Sequence, residues 1–401
     1  MNNRDIAALT DQYVARTYAR SPIALVRGKG TKVWDADGKE YLDFLAGIAV
    51  NSLGHCHPAV VRAIRQQSQV LLHVSNLYHI APQAELAREL CRHSFADRVF
   101  FCNSGAEANE AAIKLARRYS KEKHGEGRHT IISMQGSFHG RTMATLSATG
   151  QKKIQIGYDP LLTGFKFVPF NDLTGLENAI DDSICAVMLE PIQGEGGVVC
   201  PQEGYLQGVK KICNERNLLL IFDEVQSGIG RTGKLFAHEH FGVTPHIMTL
   251  AKALGNGLPI GAMLSTEDLS SAFGPGSHAT TFGGTPLVTA VAGAVLNSIL
   301  KDGWLDHCQE MGAYFKGRLE GLQEKYRFIK DVRGRGLIIG VELDRPGAPV
   351  VKACMEKGFL INCAQDFVLR FIPPLIVGKA EIDDLIETLD DIFAHFPENK
   401  G

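Results

Sequence analysis

Short apolar strands alternate with helical segments from about residue 98, and this alternation limits the possible folds more than any other feature of the chain. Five segments predict strands: RVFFC, HTIISM, ICAVMLE, LLLIFDE and HIMTL. Helices are predicted between them, for example over 106–122 and 204–216. Such alternation is typical of a mostly parallel sheet covered by helices on both faces. The sequence therefore predicts an α/β fold.

The length and the flanking segments predict two domains. A chain of 401 residues is too long for one ordinary hydrophobic core. Residues 24–45 alternate apolar and polar side chains around the turn signal Asp37-Gly38, which predicts a small antiparallel hairpin. After about residue 290, a long helical stretch leads into GRGLIIGVEL, VLRFIPPL and a final amphipathic helix over 379–395. We expect an N-terminal segment that joins the small domain (1–50), a large domain (51–290) and a smaller C-terminal α+β domain (291–401).

Composition excludes several classes of partner. Apolar residues make up 45% of the chain and charged residues 21%, which is typical of a soluble globular protein. The net charge of -2 gives no electrostatic reason to expect nucleic acid or an anionic membrane as a partner. Nine cysteines without a C-x-x-C pair indicate reduced thiols and a cytoplasmic location. No apolar run approaches the ~20 residues of a membrane span, and the N-terminal segment predicts an amphipathic helix rather than a secretory signal.

Three short motifs suggest other kinds of site and are rejected. GIGRTG (228–233) has dinucleotide-binding spacing, but five residues separate it from the strand and no acid follows at the distance a ribose ligand requires. HCHP (55–58) has two histidines without further clustered ligands, so no metal is expected. RGRG (333–336) places two arginines in a glycine turn and is not a nucleic-acid patch.

Side chains with useful chemistry gather where the predicted strands end. Ligands of open parallel sheets bind beyond the carboxyl ends of the strands, so these residues are expected to share one edge. They are Asn103, Ser104, Gly105 and Ala106; the segment Ser137 to Arg141; the segment Pro191 to Glu195; the segment Asp223 to Gln226; and Lys252.

Lys252 lies in an apolar, glycine-flanked stretch, TLAKALGNGLPIGAM (249–263). A lysine there can begin a helix, with its stem over apolar neighbours and its ammonium in water. It can also be a desolvated amine that forms a Schiff base with a carbonyl cofactor. The stretch alone leaves both interpretations open.

Ser104 to Glu107 opens a predicted helix directly after a strand. The S-x-x-E spacing is that of a capping box, which would make the segment purely structural. However, Gly105 lets a ligand approach the backbone, and free N–H groups at a helix N-terminus bind phosphate. The two roles are compatible, because a phosphate can take the N–H groups that the cap leaves free.

Asp223 ends an unbroken apolar strand, where a carboxylate is costly without a partner. A protonated pyridine nitrogen would be such a partner, and the ring would then accept the electrons of a substrate carbanion. A helix cap or a buried ion pair is the alternative. Val225 and Phe138 could pack on the two faces of the ring.

A phosphate seat, an acid for a pyridinium and a desolvated lysine together resemble the class III (ω-amino) aminotransferases of fold type I, whose cofactor is pyridoxal 5'-phosphate. The matching motifs are FCNSGAEANEAAIKLAR, GSFHGRT, EPIQGEGG, LLIFDEVQSGIGRTG, LAKALGNGLPIGA and HATTFGG, in the family's order. The resemblance extends from about residue 20 to residue 395. It implies that Lys252 forms the Schiff base, Asp223 pairs with the pyridine nitrogen and Gln226 contacts the ring hydroxyl. It further implies a phosphate site made by Gly105, Ala106 and Thr281, with Thr281 reaching the other subunit's cofactor in a homodimer with shared active sites.

The family's two-substrate reaction implies roles for two arginines and a glutamate. Arg141 would bind the distant carboxylate of either substrate bidentately. Arg370 would bind the α-carboxylate of glutamate or 2-oxoglutarate. With an ω-amino donor bound, Arg370 would face no anion, so Glu195 would pair with it and withdraw when glutamate enters. Two merely surface-exposed arginines are the alternative.

The segment FLAGIAVNSLGHCHP (44–58) distinguishes members of the family. Ornithine δ-aminotransferases carry a tyrosine where this chain has Ile48, which weakens an ornithine-specific interpretation. Together with HVSNLYH, the segment most resembles the members that act on N-acetylornithine in bacterial arginine synthesis. Thr280, just before Thr281, could offer a hydroxyl from the other subunit to the acylated end of the donor. The alternatives are succinyldiaminopimelate, succinylornithine, ornithine or 4-aminobutyrate as donor, or an inactive relative that only binds.

Overall fold

The N-terminal part of the chain forms a helix and a small antiparallel sheet in the structure, a computed structural model that describes residues 1–395. The helix α1 spans Asn3–Tyr13. The strands are β1 (Leu25–Lys29), β2 (Lys32–Asp35) and β3 (Glu40–Asp43). β2 and β3 form the predicted hairpin around Asp37-Gly38, and β1 pairs with β2 as a further strand that the sequence did not predict.

A seven-stranded sheet of order β4-β10-β9-β8-β7-β5-β6 forms the centre of the molecule. Its strands are β4 (Arg98–Cys102), β5 (Thr130–Met134), β6 (Phe165–Val168), β7 (Ile184–Leu189), β8 (Leu219–Asp223), β9 (Ile247–Leu250) and β10 (Gly261–Ser265). The run from β6 to β9 is parallel, and β10 is antiparallel to both of its neighbours. The predicted α/β class with a mostly parallel sheet is confirmed.

Helices cover both faces of this sheet, as its wholly buried strands require. On one face, Leu115 of a long helix packs with Ile131 and Ile221. On the other face, Val209 packs with Val187. The helices of this region are α2 (Ala46–Ala49), α3 (Pro58–Ser68), α4 (Ala81–Arg92), α5 (Gly105–His124), α6 (Met143–Ala148), α7 (Leu173–Ala179), α8 (Tyr205–Glu215), α9 (Glu267–Ser270) and α10 (Pro286–Lys301).

The C-terminal part forms a four-stranded antiparallel sheet of order β11-β12-β15-β14, packed against two long helices. Its elements are α11 (Trp304–Lys325), β11 (Ile329–Arg335), β12 (Ile338–Leu343), α12 (Ala348–Glu356), β13 (Phe359–Leu360), β14 (Asn362–Ala364), β15 (Val368–Phe371) and α13 (Lys379–Ala394). β13 is not part of this sheet. It pairs in parallel with β3 of the N-terminal sheet, which ties the two ends of the chain together. The domain boundaries after residues 50 and 290 stay a prediction. Over residues 1–395, no helix is long and apolar enough to cross a membrane.

A buried arginine, Arg231, holds the segment that follows β15 in place. The Arg231 side chain is fully buried and donates to the carbonyl oxygens of Leu337 and Pro373 and to the hydroxyl of Ser52. Burial lowers its pKa to about 10, because the guanidinium has lost water. The segment after β15 is thereby tied to the loop after β8 that carries Arg231, and through it to Ser52.

Candidate active site

The carboxyl ends of β4, β5, β7, β8 and β9 surround a cavity of about 450 Å³. Nine of the predicted site residues line it: Ser104, Gly105, Ala106, Phe138, Arg141, Asp223, Val225, Gln226 and Lys252. Asn103 and His139, which the sequence also places at these strand ends, line the cavity too, as do Asn109, Glu190 and Leu258, which the sequence did not indicate. Glu195 and Arg370 lie directly behind Gln226, to which both are hydrogen-bonded.

Lys252 follows β9 and begins a single 3-10 turn, Lys252–Leu254. Its φ of 42° is in the left-handed region, which non-glycine residues seldom adopt and which is often found at functional sites. Burial lowers the pKa of its ammonium, an effect that the charge of Arg370 reinforces and that of Glu195 opposes. The amine is therefore shifted toward its neutral, nucleophilic form.

The start of α5 presents backbone to the cavity. Ser104 is the N-cap, and its hydroxyl accepts a hydrogen bond from the N–H of Glu107 at 3.2 Å. The expected reciprocal bond is absent, because the Glu107 carboxylate instead accepts from the backbone and side chain of Asn103, at 2.6 and 2.8 Å. A Cβ on Gly105 would lie 2.7 Å from Val225, so the close packing here requires glycine. This first turn can both be capped and receive a phosphate.

Asp223 is buried and held by three donors. Its Oδ2 accepts from Nδ2 of Asn109 at 2.7 Å and lies 2.8 Å from Nδ1 of His139, while Oδ1 accepts from the N–H of Val225 at 3.0 Å. Thr249 donates to Oδ1 of Asn109 at 2.7 Å and so fixes the orientation of the amide. These bonds give both oxygens of the carboxylate hydrogen-bond partners at the base of the cavity.

Asn109 and His139 are partners of Asp223 that could not be read from the strand-end pattern. A signal for Asn109 was available, since it is a polar residue among alanines on the sheet-facing side of α5, four residues after Gly105. His139 lies inside the FHGRT motif, yet nothing local in the sequence shows that it faces Asp223. Its Nε2 is buried and has no hydrogen-bond partner among residues 1–395.

Glu190 is a second buried carboxyl group at the cavity, and the sequence analysis did not select it. Its two oxygens accept from the N–H groups of Phe138 and Gly194, each at 3.2 Å. Burial raises its pKa well above the ordinary value, and the neighbouring charge of Asp223 raises it further. Glu190 thus connects the segment that carries Phe138 to the segment that carries Glu195.

Arg370 and Glu195 form an ion pair beside the cavity. Nη1 of Arg370 lies 2.5 Å from Oε1 of Glu195, and Nε donates to Oδ1 of Asn362 at 3.2 Å. The Arg370 side chain is fully buried, but its Nη2 has no hydrogen-bond partner in the part of the chain that the structure describes. Burial raises the pKa of Glu195, but Arg370 outweighs this and holds it below the ordinary value. A buried guanidinium with one unused donor edge can bind a further carboxylate.

Arg141, Thr280 and Thr281 lie toward the outside of the site. The Arg141 guanidinium lies 5.5 Å from the centroid of the Phe138 ring, where it remains exposed. Thr280 accepts from Nδ2 of Asn103 at 2.9 Å, so its hydroxyl already has a partner within its own chain. Thr281 is exposed and does not line the cavity of its own chain. The predicted contacts of both threonines with a second subunit stay predictions.

The donor set fits pyridoxal phosphate, because a lysine amine, an aspartate held by three donors and an open helix N-terminus all border one cavity. A metal has no comparable site: within the described residues, no group of three or more His, Cys, Asp or Glu side chains could hold one. In the HCHP segment, His55 instead lies 2.7 Å from a carboxylate oxygen of Asp43.

Comparisons with known proteins consistently match the chain to aminotransferases. A family model, aminotransferase class-III, matches residues 13–393. The chain is 55% identical to the acetylornithine aminotransferase of Caldanaerobacter subterraneus subsp. tengcongensis, over 96% of this chain and 98% of the relative. It is 54% identical to that of Methanocaldococcus jannaschii, over 98% and 99%.

The fold is also similar to those of solved aminotransferase structures. The ornithine aminotransferase of Toxoplasma gondii ME49 superposes with a TM-score of 0.94 at 36% identity, covering 98% of this chain and 95% of that one. The acetylornithine aminotransferase of Elizabethkingia anophelis superposes with a TM-score of 0.89 at 33% identity, covering 99% and 100%. The predicted fold, that of the type I pyridoxal-phosphate enzymes, is confirmed.

Proposed function

Because the chain belongs to the class III aminotransferases, which are pyridoxal-phosphate-dependent enzymes, we propose that it transfers the δ-amino group of N-acetylornithine to 2-oxoglutarate. This reaction would place it in arginine biosynthesis. The observation that carries the proposal is the ion pair between Glu195 and the buried Arg370 beside Lys252, since it covers a carboxylate site that only one of the two substrates needs.

The bound cofactor supplies an electron sink for the carbanion that forms when the amino-bearing carbon loses a proton. Lys252 would hold its aldehyde carbon, and Asp223 would keep its pyridine nitrogen protonated. Phe138 and Val225 would pack on the two faces of the ring. Gln226 would contact the ring hydroxyl, and Gly105 and Ala106, beside Ser104, would bind the phosphate together with Thr281 of a second copy of the chain.

Lys252 also moves a proton in this proposal. Burial lowers the pKa of its amine, so Nζ can take the proton from the δ-carbon of the donor and deliver it again on the way to product. Asp223, held in place by Asn109 and His139, would stabilise positive charge at the base of the cavity.

Two arginines would sort the two substrates. Arg141, at the open side, would bind the α-carboxylate of N-acetylornithine or the distant carboxylate of glutamate. Arg370 would bind the α-carboxylate of glutamate through the donor edge that Nη2 leaves free. When N-acetylornithine is bound, Glu195 would keep Arg370 neutralised, because a buried unpaired guanidinium is costly.

The acyl group of the donor fits this arrangement electrostatically. N-acetylornithine carries a neutral acetamide where ornithine carries a second ammonium, and that ammonium would approach Arg141. Ile48, which is 38% exposed, offers no hydrogen bond to an ammonium. Thr280 of a second copy would offer its hydroxyl to the acylated end.

A homodimer in the cytoplasm completes the proposal. The segment before α4 exposes Val70 (78%), Leu77 (86%) and Tyr78 (67%), and Phe282 beside the two threonines is 62% exposed. The ring centroids of His73, in that segment, and Phe282 are 5.2 Å apart. Large apolar side chains exposed in this way are typical of a protein–protein interface, and a second copy would cover them.

Formation of glutamate tests the proposed function. Purified protein loaded with pyridoxal phosphate should convert N-acetylornithine and 2-oxoglutarate to glutamate, and Lys252→Ala should abolish turnover while the protein stays folded. A folded, cofactor-loaded protein that forms no glutamate with N-acetylornithine would refute the proposed donor. The same result with every ω-amino donor would point to an inactive binding relative.

A further inference from the structure

The hairpin of β14 and β15 contacts Glu195 at two points. Arg370, on β15, binds the carboxylate of Glu195 at 2.5 Å. Gln365, in the turn before β15, donates from Nε2 to the backbone carbonyl of Glu195 at 2.8 Å. One hairpin therefore holds both the side chain and the backbone of the same residue.

The conformation of the turn is specifically maintained. Gln365 has a φ of 49° and Asp366 a φ of 62°, so two consecutive non-glycine residues adopt the left-handed conformation that such residues seldom populate. The N–H of Gly347 donates to the carbonyl of Asp366 at 2.9 Å and supports this geometry. The turn directs the Gln365 side chain across to the central sheet, 170 positions away in sequence from Glu195.

The Gln365 amide also reaches the segment that carries Phe138. Its Nε2 lies 3.2 Å from Oε1 of Gln151, whose own amide donates to the carbonyls of Gly136 and Ser137 at 3.2 and 3.1 Å. The contact with Gln151 thus holds the Gln365 amide in the orientation in which it donates to the carbonyl of Glu195.

We propose that Gln365 is a positioning residue for Glu195 and thereby sets the preference between the ω-amino donor and glutamate. This inference rests on the proposed function, in which the Glu195 carboxylate must leave Arg370 for glutamate and return for N-acetylornithine. The bond from Gln365 keeps the backbone of Glu195 in place while its side chain moves. Without that bond the closed ion pair forms less readily, and Arg370 is free more often.

The effect is measurable as a ratio of two half-reactions. Single-turnover absorbance changes of the loaded enzyme give kcat/KM for N-acetylornithine and for glutamate separately. In Gln365→Ala, we expect the ratio of the first to the second to fall about threefold to tenfold, the range expected for loss of one neutral hydrogen bond. Gln365→Met, which keeps the length of the side chain without the donor, should show the same fall and replaces the alanine variant if that one does not fold.

Two further variants separate a specific role from a structural one. Gln323→Ala is the matched control, because Gln323 also donates to a backbone carbonyl, that of Lys330 at 3.0 Å, but on the surface of the C-terminal part. It should leave the ratio unchanged. In a Glu195→Ala background, Gln365→Ala should change the ratio no further, because the residue through which it acts has lost its carboxylate.

Equal losses in both half-reactions, or the same change of ratio with and without the Glu195 carboxylate, would overturn the inference. Failure of the proposed function gives a different pattern. If Glu195→Ala alone left the ratio unchanged, the proposed exchange at Arg370 would be refuted. If Glu195→Ala changed the ratio and the Gln365 variants did not, only the role of Gln365 would be overturned.

Discussion

The carboxylate of Glu195 lies 2.5 Å from the guanidinium of Arg370, and only the arginine is fully buried. The Glu195 side chain keeps 29% of its surface exposed, so it has space to move, whereas Arg370 is fixed by Asn362 and Gln226. The mobile member of the pair is therefore the acid. This asymmetry is what a site needs when one substrate brings its own carboxylate and the other does not.

Removal of the acid should favour glutamate. In Glu195→Ala, Arg370 has no internal anion, so the half-reaction with glutamate should persist or improve. The half-reaction with N-acetylornithine should lose at least tenfold in kcat/KM relative to it, about 1.4 kcal/mol. Single-turnover kinetics measure both. Glu310→Ala, which removes a surface ion pair with Lys379, is the control, and equal losses in both half-reactions would contradict the predicted role.

Capture of the cofactor by Lys252 should depend on pH. The reactive form is the neutral amine, and burial places its pKa below the ordinary 10.5. The capture rate of the apoenzyme should therefore rise with pH and level off below pH 10.5, as followed by stopped-flow absorbance. Borohydride should then fix the cofactor covalently on Lys252 in a peptide map. A label on another lysine would contradict the assignment.

Loss of charge at Asp223 should affect chemistry more than binding. Asp223→Asn nearly preserves shape but removes the negative charge, so cofactor should still bind while turnover falls by several orders of magnitude, each tenfold being ~1.4 kcal/mol. Asp268→Asn, at a surface aspartate that accepts from Tyr119, should leave turnover unchanged. Near-normal turnover in Asp223→Asn would remove the basis for its pairing with the pyridine nitrogen.

His139 should support Asp223 through its Nδ1. A hydrogen bond to a charged group is worth about 1.5–3 kcal/mol, so His139→Leu should lower kcat roughly tenfold to a hundredfold. His139→Asn, whose amide can occupy the position of Nδ1, should restore part of that loss. Steady-state kinetics across pH, on variants with matched melting temperatures, check this. Identical rates for the two variants would show that the hydrogen bond is not what matters.

Much of the fold could be predicted from local pattern, because β5, β7, β8 and β9 are short runs of mainly apolar residues. β6 was missed because it is only four residues long and carries the charged Lys166, which pairs with Asp181. β10 was missed because it follows β9 without an α-helix between them, and its antiparallel direction has no local signature.

For the site, the sequence indicated those residues that directly follow a predicted strand, because ligands bind at the carboxyl ends of parallel strands. It gave little indication of residues whose role arises from a distant contact. Asn109 and Asp223 are 114 positions apart, His139 and Asp223 are 84 apart, and Glu190 is recognised only by the N–H groups it accepts from. Only Asn109 carries a local signal, as a polar residue among the alanines of α5, whereas the roles of His139 and Glu190 emerge only when the sheet brings the segments together.

The preference among amino donors decides whether N-acetylornithine is the substrate of this enzyme. The measurement is kcat/KM for N-acetylornithine, ornithine and 4-aminobutyrate, each with saturating 2-oxoglutarate and the same cofactor-loaded protein. Because ornithine brings a second ammonium toward Arg141, and 4-aminobutyrate lacks the acylamino group, N-acetylornithine should exceed ornithine by at least tenfold, roughly 1.4 kcal/mol, and 4-aminobutyrate by more. A higher kcat/KM for ornithine or for 4-aminobutyrate would contradict the assignment of N-acetylornithine as the donor.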